Sequence, residues 1–126
     1  MKLIKKGLLD SWQSLPIYGL QHEGIPPGGA MDTFSLQLAN ALVGNDVYDK
    51  ALEMHFPAGV YQFETSTLIA VCGADFTACI DNVEVPMNQP IKVPPGAIIN
   101  CNKPVSGRRV YIAAREIKDE KVSRVK

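Results

Sequence analysis

The chain is organised around the stretch Tyr18-Gly-Leu-Gln-His-Glu-Gly-Ile-Pro-Pro-Gly-Gly-Ala-Met-Asp32, which reads as a long loop that leads into a helix. A loop of more than about 12 residues without periodicity is uncommon in a compact domain unless it is functional or disordered. The composition favours order, because Pro26 and Pro27 fix φ at about −65° and Gly28-Gly29 can supply the positive φ of a tight reversal. The stretch therefore predicts a shaped, functional loop.

The residues after the loop predict one helix. Apolar residues recur at helical spacing from Thr33 to Val43, with Asp32 at the N-cap position and Gly44 just past the C-terminus. The backbone amides at a helix start favour a nearby anionic group. We therefore expect the junction between loop and helix to bind a ligand.

The rest of the chain predicts short strands separated by Gly, Pro and Asx turns. The strand segments are 2–9, 51–56, 60–63, 67–72, 76–80, 83–85, 91–93, 97–101 and 109–113. Short strands at intervals of roughly 8 to 12 residues, with a single helix, are typical of a β-barrel or sandwich. The residues expected in the core are Trp12, Leu15, Ile17, Leu36, Ala39, Leu52, Met54, Leu68, Ile69 and Ile112.

Composition limits the classes of function. The 126 residues are 46% hydrophobic, which suits one domain, expected here over residues 1–114 with a charged tail over 115–126. Thirteen basic and thirteen acidic residues cancel, which argues against nucleic acid or an anionic membrane as the main partner. No apolar run approaches the roughly 18 residues of a membrane span, and no signal-peptide pattern opens the sequence, so we expect a cytoplasmic protein.

The cysteines and the usual catalytic motifs give mainly negative information. Cys72, Cys79 and Cys101 are too widely spaced for a zinc knuckle, which favours buried free thiols and no metal site. The sequence contains no dinucleotide fingerprint, phosphate loop, zinc-protease motif or nucleophile elbow. We therefore expect no cofactor in this chain itself.

His22 is the candidate catalytic residue. Its ordinary pKa, about 6.5, suits proton transfer or a hydrogen bond to a carbonyl, although a loop histidine can equally hold backbone carbonyls in place. The candidate substrate-binding residues lie around it and beyond it: Gln21, Gly28, Gly29, Ala30, Met31, Asp32, Asn40 and Glu53. Asp32 is also the expected cap, and Asn40 and Glu53 either line a site or face solvent.

Several segments in a fixed order carry a resemblance to a known family. The loop 18–32, Leu38-Ala-Asn-Ala-Leu-Val-Gly-Asn45, Ala51-Leu-Glu53 and Val71-Cys-Gly-Ala-Asp75 are similar to the N-terminal part of the allophanate hydrolase subunit 2 family. This family also includes a subunit of 5-oxoprolinase and is called biotin-dependent carboxyltransferase-like. The resemblance extends to about Ile112 and implies a cyclophilin-like β-barrel. It also implies a place in a complex with a partner subunit of similar fold.

The resemblance has two departures. Members usually carry Gln-Asp-x-Gly-Arg before the loop, where this chain has Gln13-Ser-Leu-Pro-Ile17 and so lacks an arginine that could bind a carboxylate bidentately. Members also continue into a second barrel, so this chain is expected to be a stand-alone first domain that forms a homo-oligomer or needs a partner.

Three interpretations follow. The first is a subunit of a 5-oxoprolinase-like or allophanate-hydrolase-like complex that acts on a small carboxylate or amide, with ATP or biotin handled by partner subunits. The second is a non-catalytic binding or regulatory module that has lost the chemistry. The third is an unrelated small barrel that binds a metabolite.

Overall fold

A computed structural model describes residues 1–15 and 32–117. One helix, α1 (Thr33–Val43), follows the first two strands. The strands are β1 (Lys2–Lys5), β2 (Ser11–Gln13), β3 (Ala51–Met54), β4 (Val60–Gln62), β5 (Thr67–Asp75), β6 (Ala78–Ile80), β7 (Val83–Glu84), β8 (Ile91–Val93), β9 (Ile98–Cys101) and β10 (Ser106–Glu116). The described part is therefore mainly β with one principal helix, which confirms the expected fold class.

The strands form two five-stranded antiparallel sheets. The first sheet has the order β1-β4-β9-β6-β7 and the second the order β2-β3-β10-β5-β8. Within the described ranges these sheets do not close into a single hydrogen-bonded barrel. The long strand β10 lies at the centre of the second sheet, between β3 and β5, and is the platform on which the helix packs.

The second sheet is buried on both of its faces. Its inner face packs on the first sheet through side chains such as Leu52, Ile69 and Ile112. Its outer face packs under α1 through Ala70 and Ala113, together with Leu36 and other residues of the helix. A strand that is covered on both sides needs apolar residues at nearly every position, which explains the continuous apolar run that opens β5.

The helix has the caps that the sequence predicts. The Asp32 carboxylate accepts a hydrogen bond from the Ser35 amide at 3.0 Å. Gly44 adopts φ of 82°, and its amide bonds to carbonyls of the last turn. Both ends of α1 are therefore fixed by local sequence.

Three expectations about the core differ from the structure. Trp12 is half exposed, because β2 lies at the edge of the second sheet and its side chain is not covered. Leu15 and Leu68 are only partly buried and pack against the helix cluster. The prediction for Ile17 lies outside the described residues.

No helix of the described part is long and apolar enough to cross a membrane.

Candidate functional site

A cavity of about 450 Å³ opens where the start of α1 meets the end of β5 and the beginning of β10. It is lined by Asp32, Phe34, Ser35, Leu38, Gly73, Ala74, Asn88, Gly107, Arg108 and Arg109. Four separate parts of the chain thus meet around one polar depression, since Asn88 lies on the connection between β7 and β8. A polar depression of this size can hold a small ligand.

Tyr111 connects the cavity to the sheet beneath the helix. Its side chain is fully buried, and its hydroxyl donates a hydrogen bond to a carboxylate oxygen of Glu53 on the neighbouring strand. The same hydroxyl accepts a hydrogen bond from the Asp32 amide at 3.0 Å. The residue that starts the helix is therefore tied to β3 through β10.

Asp32 is already engaged as a cap. Its carboxylate accepts hydrogen bonds from the amide and, at 2.6 Å, from the hydroxyl of Ser35, while its own carbonyl accepts from the Leu36 amide. The amides of Asp32, Ser35 and Leu36 are thus satisfied within the protein. The predicted ligand-binding junction between loop and helix also includes Gly28, Gly29, Ala30 and Met31, which lie outside the described residues.

Burial sets the protonation state of the groups under the helix. Burial, and then the hydrogen bond to Glu53, raise the pKa of Tyr111 above its ordinary value, so the hydroxyl stays protonated and can donate. Burial also raises the pKa of Cys72 to about 11. A thiol with that pKa is almost entirely neutral at pH 7 and is a poor nucleophile.

A bulge in β10 shapes the other wall of the cavity. Ser106 pairs with Asp75 and Val110 pairs with Gly73, so four steps along β10 match only two steps along β5. Two extra residues must bulge out between these pairs, and a bulge re-aims the side chains that it carries. Arg108 and Arg109 lie in this bulge, and both line the cavity.

The structure brings only part of the predicted site together. Asp32 lines the cavity, and Glu53 lies beneath it, buried rather than facing solvent. Asn40 is fully buried and does not line the cavity; its amide donates to the Asp49 carbonyl at 2.9 Å. The predictions for Gln21, His22, Gly28, Gly29, Ala30 and Met31 lie outside the described residues.

Sequence reasoning missed Arg108, Arg109 and Tyr111. The dipeptide Ser106-Gly107 reads as a turn before a strand, although an isolated glycine inside a strand pattern also indicates a bulge. Tyr111 gives no signal in the sequence, because a tyrosine in an apolar strand is usually a core residue. Its role depends on a contact with Glu53 across the sheet.

The cysteines agree with the sequence expectation in the main. Cys72 and Cys79 are buried, Cys101 is partly buried, and all three are free thiols. Within residues 1–15 and 32–117, no group of three or more His, Cys, Asp or Glu side chains is placed to hold a metal ion.

Comparison with known proteins gives a consistent family. Residues 23–122 match the family model described as "Carboxyltransferase domain, subdomain A and B". The chain is 32% identical over 113 residues to a 5-oxoprolinase subunit of Escherichia coli K12, which covers 90% of this chain and 36% of that protein. It is 36% identical over 92 residues to urea amidolyase of Saccharomyces cerevisiae, which covers 73% of this chain and 5% of that protein.

Solved structures show the same relationship. The crystal structure of the Kluyveromyces lactis urea amidolyase matches with a TM-score of 0.84 and 34% identity, over 90% of this chain and 7% of that one. TTHA0988 matches with a TM-score of 0.83 and 26% identity, over 90% of this chain and 43% of that one. The chain therefore spans less than half of each of these relatives.

Proposed function

The chain belongs to the family of the carboxyltransferase domain, subdomain A and B, and from that premise we propose that it is one subunit of a multi-subunit carboxyltransferase-like or 5-oxoprolinase-like enzyme. In this proposal the chain binds and orients a small carboxylate or amide. The proposal draws support from relatives that are either a named subunit of an enzyme, 5-oxoprolinase, or far larger chains, the urea amidolyases.

One observation carries the proposal: the cavity at the start of α1 is joined to a buried polar network. Tyr111 holds the Asp32 amide and a Glu53 oxygen at once, so the wall of the cavity is fixed before any ligand arrives. Binding groups that are fixed in advance lose little entropy on binding and hold a reacting group in one orientation. Such an arrangement suits polarisation and orientation of a substrate.

ATP and biotin belong to partner subunits in this proposal. The sequence has no Gly-x4-Gly-Lys-Ser/Thr phosphate loop. In the described lining of the cavity the one aromatic side chain, Phe34, is 73% exposed. No step proposed for this chain runs through ATP or biotin.

A regulatory role is the second candidate. Ile17 stands where the resembling family usually carries an arginine before the loop. A chain that kept the cavity and lost this carboxylate-binding arginine could bind the metabolite through its remaining groups without turning it over. This alternative shares the ligand with the first and differs in turnover.

Reconstitution with candidate partners tests the function. The chain is co-expressed with the proteins encoded by neighbouring reading frames, and the purified complex is assayed for ATP-dependent opening of 5-oxoproline and for ATP-dependent carboxylation of urea. We expect turnover of one substrate that requires this chain. Tyr111→Phe should lower kcat by about tenfold, because it removes the hydroxyl that positions Asp32 and Glu53.

Tyr48→Phe is the matched control, since that tyrosine is 68% exposed, and it should leave kcat unchanged. Complex formation and 5-oxoproline binding without turnover would favour the regulatory role. Equal kcat for both variants would move the site away from this cavity. Failure to form any complex would contradict the proposal.

A further inference from the structure

We propose that Arg108 and Arg109 form an anion-binding wall, and that the ligand of this cavity must therefore carry a carboxylate. The inference rests on the proposed function in one respect, that the cavity at the start of α1 is the substrate site. It adds the class of substrate and the residues that select it. The residues that carry this inference lie on the bulge of β10.

The bulge brings two consecutive arginines to one cavity. In a regular strand, successive side chains point to opposite faces, so neighbouring arginines would not both reach the same depression. The two extra residues between Ser106 and Val110 break this alternation. Arg108 and Arg109 consequently both line the cavity.

Two glycines make the bulge possible. Gly73 has φ of 91°, and a Cβ atom there would come within 2.7 Å of the Arg109 carbonyl oxygen. Gly107 has φ of 82°, and a Cβ atom there would come within 2.8 Å of Ala74. β5 and β10 can therefore approach this closely only with glycine at both positions, one on each strand.

Arg109 has unused hydrogen-bonding capacity inside the structure. Its Nε atom is buried and has no hydrogen-bond partner among the described residues. The acid in the described lining of the cavity, Asp32, is already engaged by the amide and hydroxyl of Ser35. A buried guanidinium donor without a partner costs free energy, which a ligand oxygen would recover once the side chain turned its Nε atom toward the ligand.

A carboxylate fits this wall better than a neutral group does. Guanidinium groups bind carboxylates through two parallel hydrogen bonds, and charge makes these bonds roughly twice as strong as neutral ones. We therefore expect an acid such as 5-oxoproline to bind in preference to a neutral molecule of the same shape, and to urea.

Titration of the chain with a matched pair of ligands tests the inference. The pair is 5-oxoproline and its neutral primary amide, which share the same ring. Binding is followed by NMR on the arginine Nε–H resonances, which report on Arg109 directly. We expect the acid to bind at least about tenfold more tightly than the amide, to shift the Arg109 resonance, and to lose affinity as salt is raised.

Substitutions locate the effect. Arg109→Gln should weaken binding of the acid by about tenfold or more and leave the weak binding of the amide unchanged, and Arg108→Gln should have a smaller effect in the same direction. Arg109→Lys keeps the charge, loses the bidentate geometry and should fall between wild type and Arg109→Gln. Arg115→Gln is the control, because Arg115 lies at the other end of β10 and bonds to the Val43 carbonyl.

The outcomes separate this inference from the proposed function. Equal affinity for acid and amide, no binding of the acid, or unchanged binding by Arg109→Gln in a folded protein would overturn the carboxylate wall. A reconstituted complex could still turn over a neutral substrate, and the proposed function would then stand alone. Conversely, the chain could bind the acid through Arg109 and still join no complex. The carboxylate wall would then stand, and the proposed role as a subunit would not.

Discussion

The environment of Cys72 couples stability to pH. Burial raises its pKa from 9.0 to about 11. At pH values below about 9 the thiol is neutral in both states and the full stability is present. Above that pH the unfolded chain releases the proton while the folded chain keeps it, so stability is lost progressively as the pH rises toward 11.

We therefore expect the free energy of unfolding to fall by about 1 kcal/mol from this thiol between pH 9 and pH 10. The measurement is urea denaturation under reducing conditions at pH 8, 9 and 10. Cys72→Ala should decline less steeply than wild type by that amount. Cys101, whose pKa burial raises to about 12, remains in both proteins and contributes equally. Parallel curves for the two proteins would contradict the prediction.

The site could be predicted from sequence only where a residue acts through its immediate neighbours. Asp32 bonds to Ser35, three residues away, and such a cap is readable as a local pattern. Alternation along the strand places Glu53 on a polar face, but that face lies under the helix, so the carboxylate is buried against Tyr111. A contact across 58 residues of sequence leaves no local pattern.

At the scale of elements, the junction of β5 and β10 is the feature on which the cavity depends. Gly73→Ala would place a methyl group 2.7 Å from the Arg109 carbonyl oxygen and would also force a positive φ on alanine. We expect a loss of about 2–4 kcal/mol in the free energy of unfolding, since both steric overlap and backbone strain contribute. Urea denaturation measures the loss.

Gly96→Ala is the matched control for this prediction. Gly96 has φ of 88°, but nothing lies within 4 Å of an added Cβ atom. The control variant should therefore lose only the strain component, about 1 kcal/mol. Equal losses in the two variants would show that the strands can separate at Gly73 without cost, and that the bulge is not held by close approach.

The helix and most strands could be predicted from the sequence. Which faces of these elements are covered by other elements could not. Thr33–Val43 is delimited by its caps, and most strands are delimited by Gly, Pro and Asx turns. The sequence does not show that α1 covers the outer face of the second sheet, because that packing joins distant segments. For the same reason the sequence predicts Trp12 in the core, although it lies on an uncovered edge strand.

At the scale of the whole molecule, the first twelve residues present an exposed apolar edge. β1 and β2 are edge strands of the two sheets, and segment 6–10 joins them. The exposed side chains here are Leu3, Ile4, Leu8, Leu9 and Trp12, each about half exposed or more. Five exposed apolar side chains within twelve residues make this segment a candidate interface.

This edge is held firmly rather than loosely attached. The Asp10 carboxylate accepts hydrogen bonds from the Gly7 amide at 3.2 Å and from the Tyr61 hydroxyl at 2.8 Å. The Leu8 amide donates to the Pro57 carbonyl at 2.8 Å. Apolar side chains that are already fixed in place lose little entropy when a partner covers them.

The charges on β1 favour a different protein over a second copy as the occupant. In antiparallel pairing of two β1 strands centred between Leu3 and Ile4, Lys2 of one copy would lie opposite Lys5 of the other. Like charges directly opposite each other destabilise a strand pair. We therefore expect a partner subunit whose edge strand carries acidic residues beside apolar ones.

A partner-binding experiment tests this expectation on the whole molecule. The chain alone should sediment as a monomer, and a candidate partner subunit should form a complex that protects Trp12, the single tryptophan, from acrylamide quenching. Replacing Leu8 and Leu9 with glutamate should weaken the complex by about 100-fold or more, because two desolvated apolar anchors become charged. Val83→Glu, on the far edge strand β7 and similarly exposed at 68%, should bind as wild type does. If the chain instead self-associates, and the Leu8 and Leu9 substitutions abolish that self-association, the occupant of this edge is a second copy of the chain. Unchanged partner binding by the doubly substituted chain would move the interface elsewhere.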